Sequence, residues 1–195
     1  MLLALARRLR HPPATDQPSR QHGDTPDTAG EVVCIDCTAT SLDRRDARLL
    51  AVAAVPLRGN RLLTSQALHL SVDPAWPRAL PPLDAAAQLL RYIGQRPLVG
   101  YYLDFDFALL APLFSALLGH PLPNRGIDVS ALYYARRVRG RPVSGPDDLR
   151  FETIRRDLGL PALSGRSALS HAVLAGLMYL KLSTPDRPTP GDEPP

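Results

Sequence analysis

The stretch RPLVGYYLDFDFALL, residues 96–110, carries the clearest fold signal in the chain. Residues 97–101 form a short apolar run, which is typical of a strand buried on both faces. Residues 105–118 have helical spacing, with Asp106 in the first turn and Pro112 as a candidate kink. The stretch therefore predicts a strand that leads directly into a helix. Taken alone, Asp106 is an ordinary acid at a helix start, where the helix dipole favours it.

A second buried strand is predicted upstream, at residues 31–37 (EVVCIDC). It contains Asp36, and the polar run TATSLD follows at residues 38–43. Cys34 and Cys37 are three residues apart, so on a strand they point to opposite faces. A zinc or redox site would need further ligands or a loop, which the neighbouring sequence does not supply. We therefore expect two buried, reduced thiols and a cytoplasmic location.

The rest of the pattern completes a mixed α/β domain. Residues 48–57 and 61–72 are predicted as two further strands, separated by a turn at Arg58-Gly59-Asn60, and residues 126–129 as a short one. Further helices are expected at residues 84–93, after 129 through Tyr133 and Tyr134, at 149–158 and at 167–182. The order β-β-β-α-β-α-β-α-α-α predicts an antiparallel meander followed by parallel strands, in one sheet with helices packed on it.

The two ends of the chain differ from this domain in composition. Residues 1–30 combine an arginine-rich start with a Pro-, Asp- and Thr-rich linker, and residues 184–195 are rich in proline. Both are expected to be disordered, which leaves a folded domain at 31–183. Residues 2–10 are interpreted either as a short amphipathic docking helix or as a frayed terminus. No stretch approaches the roughly 18 apolar residues of a membrane span.

The net charge is +4, almost wholly from arginine, since Lys181 is the only lysine. A guanidinium group binds two phosphate oxygens at once, so this composition favours a nucleic-acid partner. A coding bias toward arginine explains the same composition, and charge is therefore weak support on its own.

Residues 33–43 and 96–110 together resemble the proofreading-type 3′–5′ exonucleases of the DEDDh type. This family has a ribonuclease-H-like fold and includes the epsilon subunit of DNA polymerase III. The resemblance implies hydrolysis of phosphodiester bonds at the 3′ end of single-stranded nucleic acid, with two metal ions. It places Asp36 and Asp106 at two of the metal-binding acids. It also implies substrate contacts from Thr38, Thr40, Leu42, Tyr101, Tyr102 and Phe105.

The same resemblance shows that the site is degenerate. Thr38 stands where the family has a glutamate, and on the last helix Arg166 stands where it has the general-base histidine. His171 stands where it has the last metal-binding aspartate. The resemblance thus implies a catalytic group of Asp36, Asp106, Arg166 and His171, in which Asp36, Asp106 and His171 are the metal ligands.

Electrostatics limits what such a group can do. Two carboxylates supply too little negative charge for two divalent ions about 4 Å apart. We therefore expect one Mg²⁺ or Mn²⁺ ion rather than two, with His171 favouring Mn²⁺. Asp104 is a candidate substitute acid, whereas Asp128 is expected to cap its helix. Trp76 is expected either to pack on the domain surface or to stack on a base.

Three hypotheses for function follow. The first is a degenerate exonuclease relative that binds nucleic acid or a partner protein and cuts slowly or not at all. The second is an active 3′–5′ exonuclease with a rewired site, in which Arg166 steadies the scissile phosphate. The third is a structural or regulatory module that docks on a protein partner through its arginine-rich N-terminal segment.

Overall fold

A mixed sheet flanked by helices makes up the part of the chain that the computed structural model describes, residues 30–138, 148–165 and 167–184. The strands are β1 (Glu31–Ala39), β2 (Leu49–Arg58), β3 (Arg61–Leu62), β4 (Leu68–Ser71), β5 (Leu98–Gly100) and β6 (Gly126–Asp128). The helices are α1 (Pro82–Ile93), α2 (Leu103–Leu118), α3 (Val129–Val138), α4 (Phe151–Asp157) and α5 (Ala168–Ser183). The predicted order of strands and helices is confirmed. The N-terminal segment 1–29, most of the predicted tail and Arg166 lie outside the described residues.

The strand order is β3-β2-β1-β5-β6, with β4 also paired to β2. β1 and β2 are antiparallel, whereas β5 runs parallel to both β1 and β6. One expected strand is divided: a 3-10 turn at Thr64–Gln66 separates β3 from β4. The apolar alternation of this segment breaks at its Thr-Ser-Gln sequence, where local turn hydrogen bonds replace the ladder. Both parts still pair antiparallel with β2, so the expected meander is present.

Both faces of the sheet are covered, which explains why its central strands are apolar throughout. Val33 and Ile35 of β1 point into a core that includes Phe114 of α2. Cys34 of β1 points to the other side, into a core that includes Met178 of α5. Cys37 packs against the first core, so the two thiols lie on opposite faces as predicted and both are free.

The chain passes from β5 into α2 through a tight corner. A Cβ on Gly100 would lie 3.2 Å from the carbonyl oxygen of Ile35 and 2.7 Å from the side chain of Leu103, so any larger residue would require both neighbours to shift. Tyr102 then adopts a left-handed conformation, with φ of 50°. Such a conformation is unfavourable for a residue with a bulky side chain and is held only by its surroundings. This corner places the start of α2 next to the carboxyl end of β1.

Asp128 closes the same region of the fold. Its Oδ1 accepts a hydrogen bond from the backbone N–H of Ser130 at 2.8 Å, so it caps α3 as predicted. Its Oδ2 accepts from the backbone N–H of Leu103 at 2.8 Å, at the start of α2. Pro112 lies within α2, which continues to Leu118. None of the helices in the described ranges is long and apolar enough to cross a bilayer.

Candidate active site

Asp36 lies near the carboxyl end of β1, on the face covered by α5. Its side chain is 16% exposed, and its Oδ2 is 3.7 Å from Nδ1 of His171. Burial raises the pKa of Asp36 above its ordinary value, while the neighbouring His171 partly offsets that shift. The His171 side chain is 37% exposed and therefore reaches the solvent-filled space beside Asp36.

Asp106 reaches the same strand end from the other face of the sheet. It lies in the first turn of α2, and only 3% of the residue is exposed. Its Oδ1 accepts a hydrogen bond from the backbone N–H of Cys37 at 3.0 Å. Burial raises the pKa of Asp106 well above its ordinary range, and the negative charge of Asp36 raises it further. The two predicted acids therefore lie close enough to repel each other.

The surroundings of Cys37 disfavour the thiolate form of its side chain. Burial raises its pKa well above the ordinary value, and the charges of Asp106 and Asp36 add to the shift. A thiol must ionise to attack or to bind a metal, so Cys37 acts here as a packing residue and a backbone donor.

A row of aromatic rings leads away from Asp36. The rings of Tyr101 and Tyr102 meet edge to face at 4.9 Å, and Tyr101 meets Phe151 of α4 in the same way at 5.0 Å. The centre of the Phe151 ring lies 4.9 Å from the centre of the His171 ring. The hydroxyl group of Tyr101 donates to the carbonyl oxygen of Leu149 at 2.9 Å, which fixes the row to the segment before α4.

These groups line one open cavity of about 870 Å³. Its predicted lining residues are Asp36, Thr38, Leu42, Tyr101, Tyr102, Phe105, Asp106 and His171. Leu42 and Tyr102 are 88% and 51% exposed, so the mouth of the cavity has an apolar rim. A cavity with an apolar wall and a few convergent polar groups is typical of a ligand site.

Two other sequence predictions fall elsewhere. Thr40 is not among the cavity's lining residues; its hydroxyl accepts from the backbone N–H of Arg48 at 3.0 Å and closes the loop after β1. Asp104 is exposed at the start of α2 and does not line the cavity either. Arg166, as noted, is outside the described residues.

The lining residues that the sequence reasoning missed include Arg44, Phe151, Glu152 and Arg155. Glu152 and Arg155 are one helical turn apart on α4 and form a salt bridge of 2.8 Å. Arg155 also donates to the carbonyl oxygen of Leu160 at 2.6 Å, so it is held in place from both sides. No local pattern marks these residues, because tertiary packing alone brings α4 to the end of β1.

The donor set can be compared with the needs of a metal site. Two carboxylates and one imidazole suit a single borderline ion such as Mn²⁺. However, within residues 30–138, 148–165 and 167–184, no three His, Cys, Asp or Glu side chains are grouped so that they could hold a metal ion. The residues present therefore do not fit a pair of divalent ions. A single ion could bind here only with few protein ligands.

Comparison of the whole chain with protein-family models and with curated proteins gave no match. Solved structures do match. Exonuclease I from E. coli in complex with a dT13 oligonucleotide is 12% identical, with a TM-score of 0.62 over 80% of this chain and 41% of that one. A moderately thermophilic exonuclease I from Methylocaldum szegediense is 14% identical, with a TM-score of 0.63 over 78% and 40%.

A zinc-bound form of the E. coli exonuclease I–ssDNA complex gives 12% identity and a TM-score of 0.62, over 78% and 40% of the two chains. The chain thus spans about two fifths of the length of these structures. At this level of identity the likeness concerns the backbone alone. The chain has the ribonuclease-H-like α/β fold that these exonuclease I structures share.

Proposed function

We propose that this chain binds the 3′ end of single-stranded nucleic acid in the cavity at Asp36 and Asp106, and that it hydrolyses the strand slowly or not at all. The observation that carries the proposal is that both acids lie together in the cavity without a grouped third ligand in the described part of the chain. The structural neighbours add support, because exonuclease I is known in complex with a dT13 oligonucleotide.

The cavity suits a nucleotide chemically. The exposed ring of Tyr102 and the aromatic row behind it offer flat surfaces for bases. Arg44 lies at the rim and Arg155 deeper in the wall, where guanidinium groups can bind phosphate oxygens. The anionic strand would also have to tolerate Asp36 and Asp106, which a divalent cation makes possible.

Catalysis is expected to be weak for two physical reasons. The two carboxylates leave most of the charge of two divalent ions uncompensated. The family's general base is replaced by Arg166, and general-base assistance contributes about 10²–10⁴ in rate. One Mg²⁺ or Mn²⁺ bound by Asp36 and Asp106, with water as its other ligands, would supply the counter-charge for binding a phosphate.

The experiment is a degradation and binding assay on the full chain. Labelled single-stranded DNA and RNA are incubated with the protein and Mg²⁺ or Mn²⁺, beside Asp36→Ala and Asp106→Ala variants. We expect the oligonucleotide to bind, with degradation no faster than in the variants. Degradation that clearly exceeds background and disappears in both variants would overturn the proposed loss of catalysis; absence of any binding would overturn the whole proposal.

A second candidate is an active metal-dependent 3′–5′ exonuclease with a rewired site. Glu152 favours it, because this acid lines the same cavity as Asp36 and Asp106. In that case, Thr38→Glu, Arg166→His and His171→Asp introduced together would change the preferred metal of an existing activity. If the triple variant instead creates activity where the natural protein has none, the degenerate-site proposal gains and this candidate falls.

Three expectations stay predictions. They are the specific resemblance to epsilon-type proofreading subunits, a cytoplasmic location, and a protein partner for the N-terminal segment, which lies outside the described residues. The last predicts that removing residues 1–30 abolishes partner binding without changing the fold. Partner binding by the shortened chain would contradict it.

A further inference from the structure

Two loops lie side by side at the end of the sheet that holds the cavity. The first, residues 40–48, follows β1 and is closed by the hydrogen bond from the Thr40 N–H to the Arg48 carbonyl oxygen, at 3.0 Å. The second, residues 72–81, follows β4, and the N–H groups of Val72 and Asp73 both donate to the carbonyl oxygen of Leu50. Because Leu50 stands two residues after Arg48, the bases of the two loops are adjacent.

The strand register fixes how far the second loop is from the cavity. Thr38, which lines the cavity, pairs with Ala51, and Ala51 pairs with Ser71 at the end of β4. Neighbouring strands are about 4.8 Å apart, so the second loop begins about 10 Å from the cavity wall. This is the length of about three stacked nucleotides, at roughly 3.4 Å each.

Trp76 is displayed at the tip of the second loop. Trp76 is 64% exposed. Its backbone N–H donates to the carbonyl oxygen of Asp73, and its carbonyl oxygen accepts from the N–H of Ala79. The expectation that Trp76 packs on the domain surface is therefore wrong for most of its side chain. A large ring held out by a closed turn is available for stacking, with little loss of chain entropy on binding.

The two loops also carry unpaired cations. Arg44, Arg45, Arg48 and Arg78 are exposed and have no ion pair with any residue in the described ranges. Of the three aspartates on the same loops, Asp43 and Asp73 accept hydrogen bonds from backbone N–H groups of their own loops. The guanidinium groups are thus left free to contact phosphate oxygens.

We propose that Trp76, with Arg48 and Arg78, forms a second contact for single-stranded nucleic acid, two or three nucleotides along the strand from the terminal nucleotide in the cavity. Trp76 stacks on a base and the arginines contact the flanking phosphates. The inference rests on the proposed function, because it takes the end of the strand to lie at Asp36 and Asp106. It assigns to this chain a subsite that depends on the loop after β4 rather than on the cavity.

Trp76 is the only tryptophan in the chain, so its fluorescence reports this one position. The full chain is titrated with fluorophore-labelled oligonucleotides of two and of twelve nucleotides, thymidylates for DNA and uridylates for RNA, in the presence of Mg²⁺ as the counter-charge that the proposed function requires at Asp36 and Asp106. Binding is followed by anisotropy and stacking by tryptophan quenching. We expect the twelve-nucleotide strand of at least one type to quench Trp76 and the two-nucleotide strand to bind without quenching.

A variant set then separates stacking from loss of structure. Trp76→Ala is expected to weaken binding of the long strand about tenfold and to leave the short strand unaffected. Tyr134→Ala is the matched control, because Tyr134 is an exposed ring on α3 outside both loops. Arg48→Gln with Arg78→Gln is expected to reduce the steepness with which affinity falls as salt rises.

The outcomes distinguish the two proposals. If neither strand binds, the proposed function fails and this inference fails with it. If the long strand binds without quenching Trp76, and Trp76→Ala binds it as tightly as the natural protein does, only the second contact is overturned. Equal weakening by Trp76→Ala and Tyr134→Ala would also overturn it, since the effect would not belong to the loop.

Discussion

The two ends of β1 each bury a carboxylic acid, and the fold treats the two acids in opposite ways. Glu31, at the amino end, is 4% exposed and forms hydrogen bonds with both Arg58 and Arg96. Asp36, five residues later, faces Asp106 and His171, and it has no arginine partner in the described part of the chain. Strand, burial and residue chemistry are similar at the two ends, so the difference lies in the compensating charge.

This difference appears in the ionisation of the acids. Burial alone would raise the pKa of Glu31, but the hydrogen bonds and charges of Arg58 and Arg96 outweigh burial, so its pKa lies below the ordinary value. At the other end, burial raises the pKa of both Asp36 and Asp106, and the negative charge of Asp36 raises the pKa of Asp106 further. A buried acid with built-in counter-ions serves stability, whereas buried acids without them leave room for a cation or a ligand.

The largest expected change in stability comes from removing the arginine-paired acid Glu31 at the amino end of β1. Glu31→Ala leaves the guanidinium group of Arg96, whose side chain is 19% exposed, without its acid. We expect the free energy of unfolding to fall by about 2–4 kcal/mol, toward the low side because Arg58 is 48% exposed and regains water. Chemical denaturation at pH 7 measures the change.

A matched control for this loss is Arg150→Ala. Arg150 also pairs with an acid, Asp148, but its side chain is 83% exposed. The expected loss is much smaller, because both partners of an exposed ion pair regain water. Equal losses in the two variants would contradict the view that the amino end of β1 is an electrostatic stabilising centre.

At the carboxyl end of β1, removing a charge is expected to raise the free energy of unfolding rather than lower it. Asp106→Asn removes a buried negative charge next to Asp36, while the amide oxygen can still accept the hydrogen bond from the Cys37 N–H. We expect the free energy of unfolding at pH 8 in a chelating buffer to rise by about 1–2 kcal/mol. Asp104→Asn, on an exposed position of the same helix, should change it little; a loss of stability in Asp106→Asn would show that the carboxylate is structurally required.

The two ends also predict opposite pH dependences. Glu31 has a lowered folded pKa, so its contribution is present above its unfolded pKa, near 4.3, and is lost as pH falls through the folded value. Asp106 has a raised folded pKa, so the folded state binds the proton more tightly. Stability is then lost as pH rises from about 4 through the folded value.

Unfolding curves between pH 3 and pH 9 in a chelating buffer test this. The natural protein should lose stability on both sides of an intermediate maximum. Asp106→Asn should flatten the alkaline side by about 1 kcal/mol, and Glu31→Ala should flatten the acid side. An alkaline side that is unchanged in Asp106→Asn would remove the evidence for an uncompensated charge.

The sequence predicted the acids at the carboxyl end of β1 but not the ion pairs at its amino end. Asp36 and Asp106 could be found because each stands at a junction that local pattern reveals, a buried strand end and a strand-to-helix corner. The partners of Glu31 could not, since Arg96 lies 65 residues away and only the sheet brings them together. Their pairing is a product of strand register, which apolar runs do not specify.

The same limit applies to the wall of the cavity. Phe151 and Glu152 belong to a helix of seven residues whose position depends on its packing against α3 and α5. The polar Thr-Ser-Gln sequence did carry a signal for the division between β3 and β4, because such residues form local turns. The apolar residues on either side concealed it and favoured one continuous strand.

Metal binding is the most direct test of the uncompensated end. If Asp36 and Asp106 can share one cation, Mn²⁺ at about ten times its dissociation constant should stabilise the folded state by about 1.4 kcal/mol. For a chain of this length, that shift corresponds to a rise of about 3–6 °C in Tm. The rise in Tm should be absent from the double variant Asp36→Asn with Asp106→Asn. It should be preserved in Glu31→Ala, because Glu31 lies at the other end of β1 and pairs with arginines rather than with a metal ion. A rise that survives in the Asp36–Asp106 double variant would place the ion elsewhere, and no rise in the natural protein would contradict a cation shared by the two acids.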